Sequence, residues 1–398
     1  MSPSPLQLYV HIPFCVHKCP YCDFNSHVRP EIPWQDYGRA LVAELAHRAA
    51  EPAFRGRRLA SVFFGGGTPS LAPPGLIASL IEAADRLFPL ASDAEITLEA
   101  NPGTVDAGHF AAYRTAGVNR LSIGVQSFDV AELHWLERIH DGDGAVRAYD
   151  AARKAGFANI NLDLIYALPG QRLATWMASL ERAIDLAPEH LSCYQLTVEP
   201  HTLLASRHAR RPYPLPDDEA SLQFLWSTRE RLAAAGFAAY EISNFAQEGR
   251  HCRHNDGYWL YRDYLGIGAG ASGKWDLLGD LVGDIEDGAD GGAYRYTNTR
   301  TPETYMRQVF GKQGQATGSD ERLARRKAAA EAVWMGLRRR DGLARPWFAD
   351  RFGEDVLALF ATELSPWLQS GMVEASDTAL RLSRDGLAQA DSIAAGLF

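Results

Sequence analysis

The chain has 398 residues, 46% of them hydrophobic and 22% charged, which suits a packed globular protein with room for one large domain and a smaller one. Its formal charge of −9 leaves no basic footprint for nucleic acid. No uninterrupted apolar run reaches the length of a membrane span: Gly and Pro break the longest candidate, SVFFGGGTPSLAPPGLIASLI. The first residues, MSPSPLQ, carry neither a basic nor an apolar targeting segment, so the expectation is a cytoplasmic protein with reduced thiols.

Strand candidates in chain order are 6–12 (LQLYVHI), 60–65 (ASVFFG), 95–100 (EITLEA), 120–125 (RLSIGV), 159–166 (NINLDLIY) and 190–198 (HLSCYQLTV). Helical patterns fall between them at 34–50, 73–88, 106–116, 144–156 and 173–187. This alternation predicts βαβ units on a parallel sheet, hence an α/β fold with a partial six-unit (β/α) barrel over 1–245. Residues 250–275 are rich in His, aromatics and Gly. Residues 279–300 are acidic, Gly-rich and without period, and read as a loop, so 246–318 is taken as a linking region. A helix is expected from about 320, capped by Ser319 or Asp320 and ended before Gly342, then helices near 346–352 and 354–370. The apolar pair GMVEAS and ALRLS completes a small helical, winged-helix-like domain over 319–398, for which the missing basic excess implies packing rather than DNA binding.

Directly after the first strand stand Cys15, Cys19 and Cys22. A closed four-iron cluster takes four thiolates, so three on one loop leave one iron open. An open coordination position is where chemistry can occur. A structural zinc site is the competing reading, with His17 or His27 as fourth ligand, although zinc ligands usually come as two pairs on two loops. Disulfides are disfavoured by the odd count of five cysteines. Cys193 lies in a strand and reads as a buried apolar-like residue.

Function in barrels of parallel strands gathers at the C-terminal strand ends. There the sequence places Gly65-Gly66-Gly67-Thr68-Pro69, Glu99-Ala100-Asn101-Pro102, Gln126-Ser127 and, in the fifth strand, Asp163. The glycines let backbone N–H and C=O groups approach a ligand closely. Glu99 and Arg138 suit the ammonium and carboxylate of an amino-acid head. Gln126 and Asp163 suit a sugar hydroxyl.

The cysteine spacing, with Tyr21 before the third Cys, and the GGGTP segment resemble the radical S-adenosylmethionine superfamily. YVHIPFC, FFGGGTPS, TLEANPGT, GVQSF, Arg138-Ile139-His140 and DLIYALPGQ resemble the oxygen-independent coproporphyrinogen III oxidase family, from about residue 6 onward. The resemblance implies a [4Fe–4S] cluster on Cys15, Cys19 and Cys22, whose open iron chelates S-adenosylmethionine. Reductive cleavage of the sulfonium to a 5′-deoxyadenosyl radical is the chemistry it implies. It implies S-adenosylmethionine contacts at Tyr9, Tyr21, Gly66, Gly67, Thr68 and Glu99. Gln126, Arg138 and Asp163 match positions that contact a second such molecule in the true oxidase.

Three features separate two branches of the family. The oxidase carries another cysteine two residues after the third, where this chain has Phe24. It also has a long segment before its first strand, whereas fourteen residues precede Cys15 here. Finally, His254-Asn255-Asp256-Gly257-Tyr258-Trp259 resembles the HNxxYW pattern of the haem-chaperone branch. The resemblance thus implies a haem carrier serving acceptor haemoproteins, some of them at the membrane, with an electron donor such as flavodoxin or ferredoxin. Oxidative decarboxylation of coproporphyrinogen III is the enzymatic alternative, and a scaffold with a structural metal the third. Imidazole and thiolate are common axial ligands of haem iron. That makes His254, His251 and Cys252 the candidate ligands and Tyr258 and Trp259 candidate packing groups. The competing role for His254 and Asn255 is to hold a loop over the barrel mouth.

Overall fold

The computed structural model describes residues 5–104, 107–277 and 292–398. Six parallel strands form its centre: β1 (Leu6–Ile12), β2 (Leu59–Gly66), β3 (Leu90–Ala100), β4 (Arg120–Gln126), β5 (Ile160–Tyr166) and β6 (His190–Gln195). Each pairs in parallel with the next. Helices α1 (Trp34–Ala49), α2 (Pro74–Leu87), α3 (Ala107–Thr115), α4 (Val130–Trp135), α5 (Gly142–Lys154) and α6 (Leu173–Asp185) lie between them. α7 (Leu203–Arg210) and α8 (Asp218–Ala234) follow β6.

The period of two along β1 explains how it is held. Leu6, Leu8, Val10 and Ile12 are buried in one core with Tyr37, Ala40 and Leu41 of α1. Each such aliphatic side chain contributes about 1.5–3 kcal/mol by leaving water. The alternate residues Gln7, Tyr9 and His11 therefore face the barrel interior.

Among the described residues the sheet has twelve strands and does not close. β7 (Ala238–Ala239) and β8 (Asn244–Ala246) extend it antiparallel beyond β6. At the other side β9 (Tyr264–Ile267) pairs in parallel with β1, which makes a seventh parallel strand. β10 (Ser272–Asp276), β11 (Ala293–Asn298) and β12 (Thr317–Leu323) then continue it antiparallel. The boundary expected at residue 245 therefore does not interrupt the sheet.

Part of the expected loop at 279–300 is strand β11; its residues 279–291 lie outside the described residues. The helix expected from Ser319 or Asp320 begins instead at Arg325, as α11 (Arg325–Leu337), with no side-chain cap. Ser319 and Asp320 belong to β12, opposite Thr297 and Tyr296. Cross-strand pairing overrides the local capping signal: Arg295 grips Glu321 at 2.6 Å, and Lys327 reaches the same carboxylate at 2.6 Å. α9 (Arg253–Trp259) and α10 (Pro302–Gly311) complete the chain up to β12.

Beyond β12 the chain builds a second core. Ala328, Val333, Phe348, Phe352, Phe360 and Leu380 are buried together there. The expected long helix near 354–370 is divided into Val356–Leu359 and Ala361–Gln369 by Phe360. A small antiparallel sheet of Leu343–Ala344, Val373–Ala375 and Ala379–Leu382 supplies the wing-like hairpin. The fold is thus α/β, a partial barrel with a small helical, winged-helix-like C-terminal region.

Candidate functional site

The loop after β1 is pinned where it leaves and returns. Phe14 and Cys15 pair in parallel with His27 and Val28. A turn bond from the Cys22 N–H to the Cys19 carbonyl, 3.2 Å, shapes its middle. Cys15, Cys19 and Cys22 all line one cavity of about 390 Å³ at the C-terminal ends of the strands. Thr68 Oγ1 donates to Cys15 Sγ at 3.5 Å, and Arg138 Nη1 to Cys19 Sγ at 3.6 Å. Burial raises the Cys15 thiol and pushes that of Cys22 up to about 11. Desolvation is the cost of this site, and the hydroxyl and guanidinium donors offset part of it for an anionic sulfur.

Tyr21, Gly66, Gly67, Thr68, Glu99, Gln126, Arg138 and Asp163 line the same cavity. Gly66 takes φ +118°, where an added Cβ meets the His11 ring at 2.6 Å. Its N–H donates to Glu99 Oε2 at 3.1 Å. Burial, and next the nearby Asp163, raise the Glu99 carboxyl to about 8. Asp163 accepts from Ser122 and Asn161, and burial raises it too. Gln126 holds a left-handed φ of 66° at the end of β4, a conformation costly for a residue with a Cβ. Arg138 also donates to the Gly124 carbonyl at 2.8 Å, which fixes its guanidinium between β4 and the cysteine loop.

Tyr9 is the exception in this set. Its hydroxyl bonds His11 Nδ1 at 2.9 Å, and it faces two neighbouring cavities instead.

The candidate haem ligands are enclosed. His254 Nδ1 bonds the Ser61 hydroxyl at 2.9 Å and its Nε2 the Tyr258 hydroxyl at 2.9 Å, so both ring nitrogens are engaged. Burial, then Arg120, lowers its pKa to about 3. Gln7 Nε2 donates to the His254 carbonyl at 2.7 Å, and Glu95 accepts from the His254 N–H at 3.2 Å. In this structure His254 thus ties α9 onto β1, β2 and β3. Cys252 is enclosed as well: it is fully buried, with its thiol pushed up to about 12 and directed at Glu95, 3.5 Å away. His251 stacks on Tyr240 at 4.2 Å. Tyr258 and Trp259, in contrast, both border a cleft beside the sheet.

Sequence reasoning missed several residues here. Tyr194 lines the cysteine cavity and the interior pocket of about 230 Å³ next to it. The signal was available: Cys193 packs into the core, so the next residue on the strand faces inward. Thr197 and Glu199 reach the cavity because β6 ends at Gln195, short of the expected 198, and the chain turns over the mouth.

Among the described residues, no three His, Cys, Asp or Glu side chains converge as a single-ion site requires. An iron–sulfur cluster instead takes its thiolates one per iron, so a cavity bordered by three separate sulfurs suits it.

Residues 9–183 match the radical SAM superfamily and residues 323–388 the HemN C-terminal domain. A protein of Escherichia coli K12 called heme chaperone HemW is 46% identical over 303 residues, 76% of each chain. The protein of that name in Bacillus subtilis is 32% identical and covers 95% of both chains. A mouse protein, radical S-adenosyl methionine domain-containing protein 1, mitochondrial, is 36% identical over 97% of this chain and 86% of its own. Among solved structures, coproporphyrinogen III oxidase (HemN) of Escherichia coli, a radical SAM enzyme, superposes with a TM-score of 0.80. That match is 26% identical and covers 99% of this chain and 90% of the other.

Proposed function

This chain belongs to the radical SAM superfamily and, within it, to the family of the heme chaperone relatives, and from that premise we propose that it binds haem and delivers it to acceptor haemoproteins. In this reading it carries a [4Fe–4S] cluster and S-adenosylmethionine, which when bound supply one-electron chemistry. Cys15, Cys19 and Cys22 would each ligate one iron. Thr68 and Arg138 direct donors at two of the sulfurs. Glu99 and the backbone of Gly66 and Gly67 would hold the amino-acid head, and Gln126 and Asp163 the sugar. Arg138 is already committed to Cys19 and Gly124, which supports a role beside the cluster as much as on the ligand's carboxylate. An electron donor of the flavodoxin or ferredoxin class, and acceptors at a membrane surface, belong to the same proposal. Among the described residues no helix is long and apolar enough to cross a membrane.

Phe24 carries the choice between the two family chemistries. It stands where the oxidase has a further cysteine, is 57% exposed, and borders the cavity of the three thiols. A phenyl ring there offers no ligand and no proton. The second reading, oxidative decarboxylation of coproporphyrinogen III, is favoured by the fold shared with the HemN structure over nearly the whole chain. Anaerobic reconstitution with iron and sulfide, followed by S-adenosylmethionine, reductant and either porphyrin, separates them. The chaperone reading expects haem binding and transfer to an apo-haemoprotein without porphyrinogen turnover. Formation of protoporphyrinogen IX would overturn it.

A further inference from the structure

Beside the cysteine cavity lies a larger cleft of about 650 Å³, within the range of small-molecule sites. Several parts of the chain wall it. The end of α9 gives Tyr258 and Trp259, strands β9, β10 and β11 give Tyr264, Lys274 and Arg295, and α11 gives Trp334 and Met335. Phe24 borders this cleft as well as the cysteine cavity, so one phenyl ring is their partition.

The charges in the wall are unequal in their partners. Lys274 pairs with Asp276 at 3.0 Å and with Asp263 at 3.4 Å. Arg295 pairs with Glu321 and with Glu331. Arg262 and Arg300, both exposed and both lining the cleft, make no side-chain ion pair or hydrogen bond among the described residues. Two guanidiniums are thus left over at an aromatic cleft. Trp334 is 36% exposed there, and the buried Nε1 of Trp259 has no hydrogen-bond partner.

The backbone holds Arg262 in place at a cost. Tyr261 takes φ 55°, which disfavours an aromatic residue by on the order of 1 kcal/mol. Tertiary contacts offset this. The Arg262 N–H closes α9 onto the Gly257 carbonyl at 2.9 Å, and the Tyr261 hydroxyl donates to Glu331 of α11 at 3.2 Å. This turn therefore fixes Arg262 at the cleft and α11 across from it together.

The geometry points to this cleft as the seat of haem, with the macrocycle against Trp259 and Trp334, its two propionates on Arg262 and Arg300, and Phe24 between it and the cysteine cavity. The assignment rests on the haem reading above. Paired guanidinium–carboxylate contacts and an aromatic floor are what a flat dianion with one apolar body requires. The assignment needs no ligation by the enclosed His254: α9 presents its aromatic residues to the cleft and turns its histidine to the sheet.

The test uses haemin and its dimethyl ester, titrated by absorbance and tryptophan quenching into the full chain. The variants are Arg262→Ala/Arg300→Ala and, separately, Trp334→Ala. The wild type should bind haemin at least tenfold tighter than the diester. The double variant should lose at least tenfold in haemin affinity and all discrimination against the diester. Trp334→Ala should weaken both porphyrins alike. Should the alanine pair fail to fold, Arg262→Gln/Arg300→Gln carries the same expectation. Wild-type haem binding with an unchanged double variant would overturn the cleft and leave the chaperone reading standing. A wild type that binds no haem would overturn both.

Discussion

The Gly66 N–H donates to the Glu99 carboxylate across 3.1 Å, tying the glycine run after β2 to the end of β3. The bond depends on a backbone that only glycine adopts without strain, φ +118°. A methyl group at this position also meets the His11 ring at 2.6 Å. Gly66→Ala should therefore cost about 1–3 kcal/mol of stability and weaken S-adenosylmethionine at least tenfold. Denaturant unfolding and equilibrium dialysis measure the two. Intact affinity would remove the glycine run from the binding surface.

Glu99 makes the protein pH-sensitive in a defined window. Burial and Asp163 raise its carboxyl from 4.5 to about 8. Between those values the folded chain holds a proton that the unfolded chain has released. Stability from this group is full below pH 4.5 and falls as pH rises through about 8, by on the order of a few kcal/mol. Glu99→Gln should abolish this part of the slope. Melting temperatures of the two proteins from pH 5 to 9 should converge at the acid end and separate at the alkaline end, the variant being the more stable. Parallel curves would show that Glu99 is ionised at neutral pH.

How far the sequence revealed the molecule follows from what stabilises each part. The parallel strands were legible because both of their faces are buried, so they read as near-continuous apolar runs such as ASVFFG or, in β1, as a strict alternation. The site residues at their C-terminal ends were legible for the same reason: the strand bounds fix where Glu99 and Gln126 fall. β12 was not, because TGSDERL is polar and owes its strand form to pairing with β11. α8 was hidden by a weak amphipathic pattern; it packs through a few residues, among them Thr228, which accepts from Trp176 Nε1 at 2.7 Å. Between the two tasks the sequence offers for His254, iron ligand or clamp, nothing local decides, because only the fold brings Ser61 and Tyr258 to both of its nitrogens.

Arg138 can be separated from the cluster ligands. Its guanidinium donates to Cys19 Sγ but ligates nothing. Hydrogen bonds and positive charge at a cluster sulfur raise its reduction potential. Arg138→Met should assemble the cluster with unchanged iron content and shift its potential negative by on the order of tens of millivolts. Cys19→Ser should lose the cluster absorbance. Protein-film voltammetry reads the first effect and iron analysis the second. An unshifted potential in Arg138→Met would sink the second-sphere role.

His254 offers a contrast between ligand and clamp. Removing the imidazole ring would orphan the Tyr258 hydroxyl, leave the Ser61 hydroxyl only its bond from Gln7 at 3.4 Å, and open space beside Phe63, whose ring stacks on it at 5.0 Å. Each buried orphan costs about 1–3 kcal/mol. His254→Ala should thus lower stability by roughly 3–5 kcal/mol, near the range of a large-to-small core change. The pH dependence follows from the depressed pKa of about 3 against 6.5 unfolded. Here the unfolded chain binds the extra proton, so wild-type stability is full above pH 6.5 and falls as pH drops through about 3. The variant should lack that acid slope. Per folded molecule, its haem Soret band should stay where the wild type's is. A shifted band with unaltered stability would restore His254 as the axial ligand and require α9 to open when haem binds, because as folded neither ring nitrogen is free to reach iron.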